Sequence, residues 1–427
     1  MRDPQPPSPA YGHLVDRLNR FPQGAPPSET LYRILSVLFS EEEAELVSKL
    51  PIKPFTVEKA ARAWQVTPDE ARSTLETLAS RAILLDMGRD GETTYVLPPP
   101  MAGFFEFSMM RTRDDVDQTL LAELFEQYCA VEDAFMESLV ATGETQLGRI
   151  LVNEPVLQPE AHVLDHERAS HVIRSASHIG ISRCYCRFKK EELDEVCDAP
   201  QDICMTFGGT AASLIKHGFA REVDVAEGLD LLALAHEHNL VQFGENVREG
   251  VNFICNCCGC CCEALTAARR FAYTRPIHTT NFLPEVDTEA CTGCGQCVSV
   301  CPIEAVGLVS AHDPDDPRQR KARVDPEICL GCGVCAGVCP NGSMTMAPRE
   351  ARVITPFNSV HRIAVMALER GRLQDLIFDQ RVLWSHRAMA SLLGVIIKLP
   401  PVKRSLAREQ VKSRYLDALI RRFYGSL

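Results

Sequence analysis

The sequence predicts an α+β chain of several domains, and three observations carry that prediction. At 427 residues the chain exceeds what one hydrophobic core usually holds. Its apolar periodicity is helical up to residue 148, with one hairpin signal, and then alternates between strand-like and helix-like stretches. Eighteen of the 19 cysteines lie between Cys184 and Cys339. Such density in a large chain without a visible secretory leader points to metal or redox chemistry in a reducing compartment, not to disulfides.

Composition narrows the class further. With 45% hydrophobic and 24% charged residues, disordered and collagenous chains are excluded. The longest apolar run, Met389 to Ile397, is too short for a spanning helix. The start MRDPQPPSPA lacks the basic, apolar and small-residue order of a leader, so the expected location is cytoplasmic. The net charge of −12 is unevenly spread: residues 349–427 hold 15 Lys+Arg against 6 Asp+Glu, and the rest holds 30 against 51. A basic tail on an acidic body can dock on that body, on an acidic partner or on a membrane surface, and the first is preferred.

Residues 1–28 carry seven prolines and read as a flexible arm. From Ser28, Leu31, Ile34, Leu35 and Leu38 share a helical face, and Glu41-Glu42-Glu43 suits a second helix start. Thr56 precedes a further helix through Trp64, and Thr67-Pro68-Asp69-Glu70 opens another through Leu78. Ile83 to Asp86 and Thr93 to Leu97 flank the turn Gly88-Arg89-Asp90-Gly91, a hairpin signal. In this order residues 29–97 resemble a winged helix. DNA binding by such a unit needs cations, yet residues 29–97 hold 12 acidic and 8 basic residues. Protein contact is therefore favoured over nucleic acid.

Residues 98–148 read as a helical bridge. Leu120, Leu121, Leu124, Phe125, Tyr128, Val131, Phe135 and Leu139 recur as on one long amphipathic helix, with Cys129 as a small core residue. Residues 149–281 form a cysteine-rich α/β or α+β domain. Strands are expected at Arg149–Val152, Ile179–Cys184, Val241–Phe243 and Val251–Ile254, and helices at Asp165–Ser177, Thr210–His217, Asp224–His238 and Glu263–Tyr273.

Residues 286–302 and 324–340 repeat at an offset of 38, with Val286/Val324, Asp287/Asp325, Gly293/Gly331 and every cysteine identical. Each copy reads C-x2-C-x2-C-x3-C-P: Cys291, Cys294, Cys297, Cys301, Pro302, then Cys329, Cys332, Cys335, Cys339, Pro340. Three thiolates two residues apart wrap a tight loop around three irons of a cubane. A zinc ribbon would instead use paired C-x2-C knuckles. Residues 282–348 resemble the two-cluster bacterial ferredoxins. That resemblance implies two 4Fe-4S clusters with exchanged fourth ligands, one on Cys291, Cys294, Cys297 and Cys339, the other on Cys329, Cys332, Cys335 and Cys301. His312 to Arg323 between the copies reads as a longer surface loop.

Ten cysteines remain. Cys184 and Cys186 sit at a strand end with both thiols to one side, and Cys197 and Cys204 follow across a charged loop, enough for one further cluster. Cys255, Cys257, Cys258, Cys260, Cys261 and Cys262 crowd eight positions. In an extended start Cys255 and Cys257 face one way and Cys258 the other, so one metal cannot use all six. A helix from Glu263 would favour thiolate at Cys260 to Cys262. One or two additional Fe-S clusters rank first for these ten, with zinc, or redox-active or ligand-free thiols, as alternatives. Together the two groups resemble a set of cysteine-rich 4Fe-4S-binding proteins of anaerobes, which implies electron transfer. Arg183, Arg187 and His178 are near in sequence, and Phe207-Gly208-Gly209-Thr210 is a weak anion-site signal.

In the tail, residues 349–427, Val411, Tyr415, Leu416, Leu419, Ile420 and Phe423 make an apolar stripe beside Lys412, Arg414, Arg421 and Arg422. It fits packing on the body or a subunit, or peripheral membrane contact. The reading that follows is an iron-sulfur electron-transfer protein, a component or partner of an oxidoreductase, relaying single electrons between the duplicated module and the cysteine-rich domain. The competing readings are a redox-sensing winged-helix regulator and a reductase with a substrate-binding middle cluster. No proton-transfer dyad or hydrolytic triad is discernible.

Overall fold

The computed structural model describes residues 6–89, 91–140, 144–159, 161, 163–271, 277–311, 317–350, 352–353 and 355–378. Their contacts form two units where six segments are expected from sequence. One comprises the described residues up to Thr145, Ala212–Ala220 and those from Phe357. The other comprises Gln146–Ala211 and Arg221–Pro356.

In the first unit the flexible arm expected over residues 1–28 is helical over α1 (Pro9–Leu18). Pro9 stands at the first helical turn, where a missing N–H costs nothing. Leu14, Val15 and Leu18 are buried, and buried Arg17 donates to the carbonyls of Leu50 and Pro51. The prolines bracket this helix and do not interrupt it. Ser28 caps α2 (Glu29–Leu38), and reciprocal Ser40/Glu43 and Thr67/Glu70 bonds start α3 (Glu41–Ser48) and α5 (Pro68–Ser80), with α4 (Val57–Trp64) between. Strands β1 (Leu85–Arg89) and β2 (Glu92–Val96) pair antiparallel.

After the short α6 (Phe105–Phe107), the one long helix expected across Leu120–Leu139 is two: α7 (Gln118–Phe125) and α8 (Asp133–Val140). A widened turn at Glu126–Val131 separates them, and Glu132 is extended. The break lets Tyr128 stack on Phe135 at 4.6 Å, beside Phe105, while Glu132 accepts from Thr30. Cys129 is buried here.

The second unit begins with β3 (Gly148–Ile150), α9 (Ala169–Ser175), β4 (Ile179–Arg183), α10 (Tyr185–Glu191), β5 (Asp202–Phe207), α11 (Gly208–Lys216), β6 (Arg221–Glu222), α12 (Val225–Glu237), β7 (Val241–Glu245), β8 (Phe253–Cys257) and α13 (Glu263–Arg270). Residues of α11 from Ala212 belong to the first unit by their contacts. The strands form one sheet in the order β3-β7-β8-β5-β4-β6, and every pairing among them is antiparallel. The middle domain is therefore α+β, not α/β, since no strand is followed by a crossover to a parallel neighbour. In the expected charged loop lie α10 and β5, whose Ile203, Met205 and Phe207 face the core.

The duplicated module continues this unit: β9 (Phe282–Val286), α14 (Gln296–Ser299), β10 (Val306–Ser310), then β11 (Arg320–Val324), α15 (Val334–Gly337), β12 (Met344–Pro348). Each element recurs 38 residues on. Pairing crosses between copies, β9 with β12 and β10 with β11. The Asp287 N–H bonds to the Ser343 carbonyl and, equivalently, that of Asp325 to Ala305. The surface loop expected over His312–Arg323 is strand from Arg320 onward, held by this pairing, and 312–316 lie outside the described residues.

The first unit closes with α16 (Ser359–Glu369) and α17 (Leu373–Ile377). Ala367 and Leu376 share a core with Ile52, and Arg370 donates to the carbonyls of Pro22 and Leu139. This part of the expected helical tail packs on its own unit. The stripe from Val411 to Phe423 lies outside the described residues. Among the described residues no helix is long and apolar enough to cross a membrane.

Candidate metal centres

The crossed strands bring the two cysteine loops of the module together. In each copy the first cysteine N–H bonds to the aspartate carbonyl four residues earlier, Cys291 to Asp287 and Cys329 to Asp325, which starts the loop. Backbone N–H groups then reach the sulfurs: Ala322 to Cys291 at 3.4 Å, Gly331 to Cys329 at 3.4 Å and Ala305 to Cys301 at 3.2 Å. Cys301 of the first copy lines one apolar cavity with Cys329, Cys332 and Cys335 of the second, walled by Pro302, Ile303, Val306, Leu330 and Val334. Cys339 packs against the cluster that contains Cys291 and Cys297, and Cys294 is exposed nearby in the same loop.

Burial pushes the thiols of this cavity up, Cys329 to about 11, Cys332 to about 12 and Cys335 further. Burial also raises Cys297. At Cys339 burial is outweighed by hydrogen bonds from Ser343 and backbone N–H groups, and the thiol is lowered. Four soft donors converging in an apolar pocket, with N–H groups aimed at sulfur, fit a thiolate-bound iron-sulfur cluster, whose positive irons offset the cost of ionising buried thiols.

The middle cysteines separate into two groups. Cys197, Cys258, Cys260 and Cys261 place their sulfurs within 4.8 Å of one another. The other six make a chain of thiol contacts: Cys184 to Cys186, Cys186 to Cys262, Cys262 to Cys257, Cys257 to Cys255, and Cys255 to Cys204. As the extended geometry requires, Cys255 and Cys257 join one group and Cys258 the other. The foursome Cys184, Cys186, Cys197 and Cys204 is not formed. Cys204 lies on β5, whose pairing with β8 sets it beside Cys255, and Cys197 lies in the loop after α10. Cys184 directly follows β4, as expected, and is also the N-cap residue of α10, while Cys186 is in the first turn of that helix.

Hydrogen bonds from neighbouring thiols lower some members of these groups. Cys204 and Cys257 bring Cys255 to about 5, and Cys261, with Arg187, brings Cys258 to about 5. Cys262 is lowered well below its usual range by Cys186 and Cys257, with the N–H groups of Leu265 and Ala264 at the start of α13 adding to it. The expected helix-start effect is confined to Cys262, the cap. Cys260 moves the other way, to about 11, through burial and the charge of Cys258, and Cys261 also rises, through its hydrogen bond to Cys258.

Buried charges lie beside these thiols. Arg187 is fully buried and donates to the Pro200 carbonyl at 2.7 Å and the Asn256 carbonyl at 2.9 Å, while its Nε has no hydrogen-bond partner among the described residues. Burial alone would lower its pKa, but electrostatic interaction with Cys184, Cys258, Cys257 and Cys197 raises it. Lys189 pairs with Glu263, both buried. In the run Cys186-Arg187-Phe188-Lys189-Lys190 nothing marks two of the three cations as buried, because the carbonyls and carboxylate that receive them come from 13 to 74 residues away. Arg183 stacks on Phe188 at 3.8 Å, His178 is exposed, and Thr210 of the weak anion motif bonds to Asn252 at 3.0 Å.

Residues 290–343 match the family model of a 4Fe-4S dicluster domain. This stretch is a 4Fe-4S ferredoxin-type module, and the chain is an iron-sulfur protein. No curated protein and no solved structure matches the chain.

Proposed function

We propose that the protein is a cytoplasmic one-electron relay in which the duplicated module passes electrons to or from a centre in the cysteine-rich sheet. Cys291, Cys294, Cys297 and Cys339 hold one 4Fe-4S cluster, and Cys329, Cys332, Cys335 and Cys301 the other. Cys184, Cys186, Cys204, Cys255, Cys257 and Cys262 supply the thiolates of the additional iron-sulfur centre. Bound clusters would supply one-electron redox capacity.

One observation carries the relay: Cys257, Cys262 and Cys329 share a single buried apolar cluster, with Cys255, Cys301 and Cys332 packed against it. Such a path excludes water and fixes the donors of neighbouring centres on one rigid core. Lys321 donates to the Cys291 carbonyl and Arg349 to that of Cys329, both at 2.6 Å, so a cation steadies the first cysteine of each loop. The winged-helix-like unit of residues 29–97, with its acidic excess, serves as a docking element for a redox protein or oxidoreductase subunit.

Anaerobic potentiometric titration followed by paramagnetic resonance tests this. The expected result is two centres lost when the module's cysteines are replaced and a further centre lost with Cys257→Ser. Absence of any reducible centre in full-length protein contradicts the proposal.

A further inference from the structure

The four cysteines outside that relay have a geometry of their own. The Sγ of Cys197 lies 3.7 Å from that of Cys258 and 3.7 Å from that of Cys261, and Cys260 lies 3.6 Å from Cys261. All four sulfurs fit within 4.8 Å. Four sulfurs bonded at about 2.3 Å to one tetrahedral ion stand about 3.8 Å apart, the edge of the tetrahedron. A disulfide, at about 2.05 Å, is excluded by the same distances. Thiolates on four different irons of a cubane are spread by the core between them, beyond the 4.8 Å that contains this set. Among the described residues the eight cysteines of the module form no such tight group.

We propose that Cys197, Cys258, Cys260 and Cys261 bind a single tetrahedral divalent ion, zinc or ferrous iron, and not a cubane. Cys197 comes from the loop after α10 and the other three from the turn between β8 and α13, so the ion ties segments 61 residues apart. The turn is held closely: a Cβ on Gly259 would stand 2.8 Å from Cα of Pro302, the residue after Cys301. The turn that supplies three of the four ligands thus packs against the first ferredoxin-type copy next to Cys301. Buried Arg187, which interacts electrostatically with Cys258 and Cys197, offsets the negative charge that four thiolates leave around a divalent ion.

The test counts zinc, iron and acid-labile sulfide per chain in full-length protein prepared without oxygen, beside Cys197→Ser and Cys258→Ser. The expected result is the loss of about one metal atom with no loss of sulfide, because a mononuclear site contains none. The element lost tells zinc from iron. Loss of several irons with matching sulfide, or no change in metal, overturns the proposal. Should either variant fail to fold, the native protein decides: at the zinc edge, X-ray absorption showing four sulfurs at about 2.3 Å and no metal neighbour, or in the Mössbauer spectrum a high-spin ferrous site separate from the clusters, is in support, while zinc with a metal neighbour, or no zinc and iron in clusters alone, is against.

Discussion

The carbonyl oxygen of Arg320 stands 2.1 Å from where a Cβ on Gly293 would be, and 38 residues on the pattern repeats between Phe282 and Gly331 at the same 2.1 Å. Both glycines have positive φ, 67° and 71°. The strand that opens each copy thus lies against the cysteine loop of the other. Any side chain there must displace backbone, not a flexible side-chain tip.

Gly331→Ala combines that clash with a left-handed backbone that alone costs roughly 1–2 kcal/mol. Its expected effect is a lower unfolding midpoint and loss of iron and sulfide from the nearby centre. Gly307→Ala, where a Cβ meets nothing within 4 Å, is the control and stays within about 0.5 kcal/mol of wild type. Thermal unfolding and iron analysis of both variants check this.

Exchange of the fourth ligands predicts a pattern of non-additivity. Cys301→Ser with Cys329→Ser should lose no more iron than either alone, since both touch one centre, while Cys301→Ser with Cys291→Ser should lose both centres. If instead the first pair lost both centres and the second only one, each copy would hold its own cluster.

Lys189 and Glu263 are both buried and paired. Removing one partner, as in Glu263→Leu or Lys189→Met, leaves a charge uncompensated and is expected to cost about 3–5 kcal/mol. Lys189→Met with Glu263→Leu should recover much of it. Urea unfolding of the four proteins under anaerobic conditions measures the coupling.

In the first unit Asp86, its side chain 2% exposed, accepts from Ser213 at 2.6 Å, pairs with Lys216 and lies 3.0 Å from His217. Burial pushes its carboxyl up, but hydrogen bonds from Lys216 and Ser213 and the charge of His217 outweigh it, and the pKa is lowered. A carboxylate depressed on folding stabilises fully above its unfolded pKa of about 3.9 and loses that contribution as pH falls through the folded value. Asp86→Asn should therefore cost about 1–3 kcal/mol at pH 7 and leave stability flatter between about pH 5 and the acid limit. Chemical unfolding at several pH values reads both.

Much of this was legible in the sequence where chemistry is local. The duplicated cysteine spacing, the capping pairs Ser40/Glu43 and Thr67/Glu70 and the helix from Glu263 are written within a few residues of themselves. The hidden parts depend on distant partners. Cys204 meets Cys255 only because β5 pairs with β8, and Cys197 meets Cys258 only because the intervening chain folds into the sheet. Helix α10 escaped notice because Arg187 and Lys189 look like solvent residues until Asn256 and Glu263 are brought beneath them. The alternation of Ile203, Met205 and Phe207 was a strand signal in plain view.

The most direct measurement is the iron and acid-labile sulfide content of full-length protein purified without oxygen, with its paramagnetic resonance after reduction. Two clusters in residues 282–348 predict about eight irons and eight sulfides per chain from the module, with any centre on the six sheet thiols adding to both. A colourless protein that carries zinc and no labile sulfide would contradict the account.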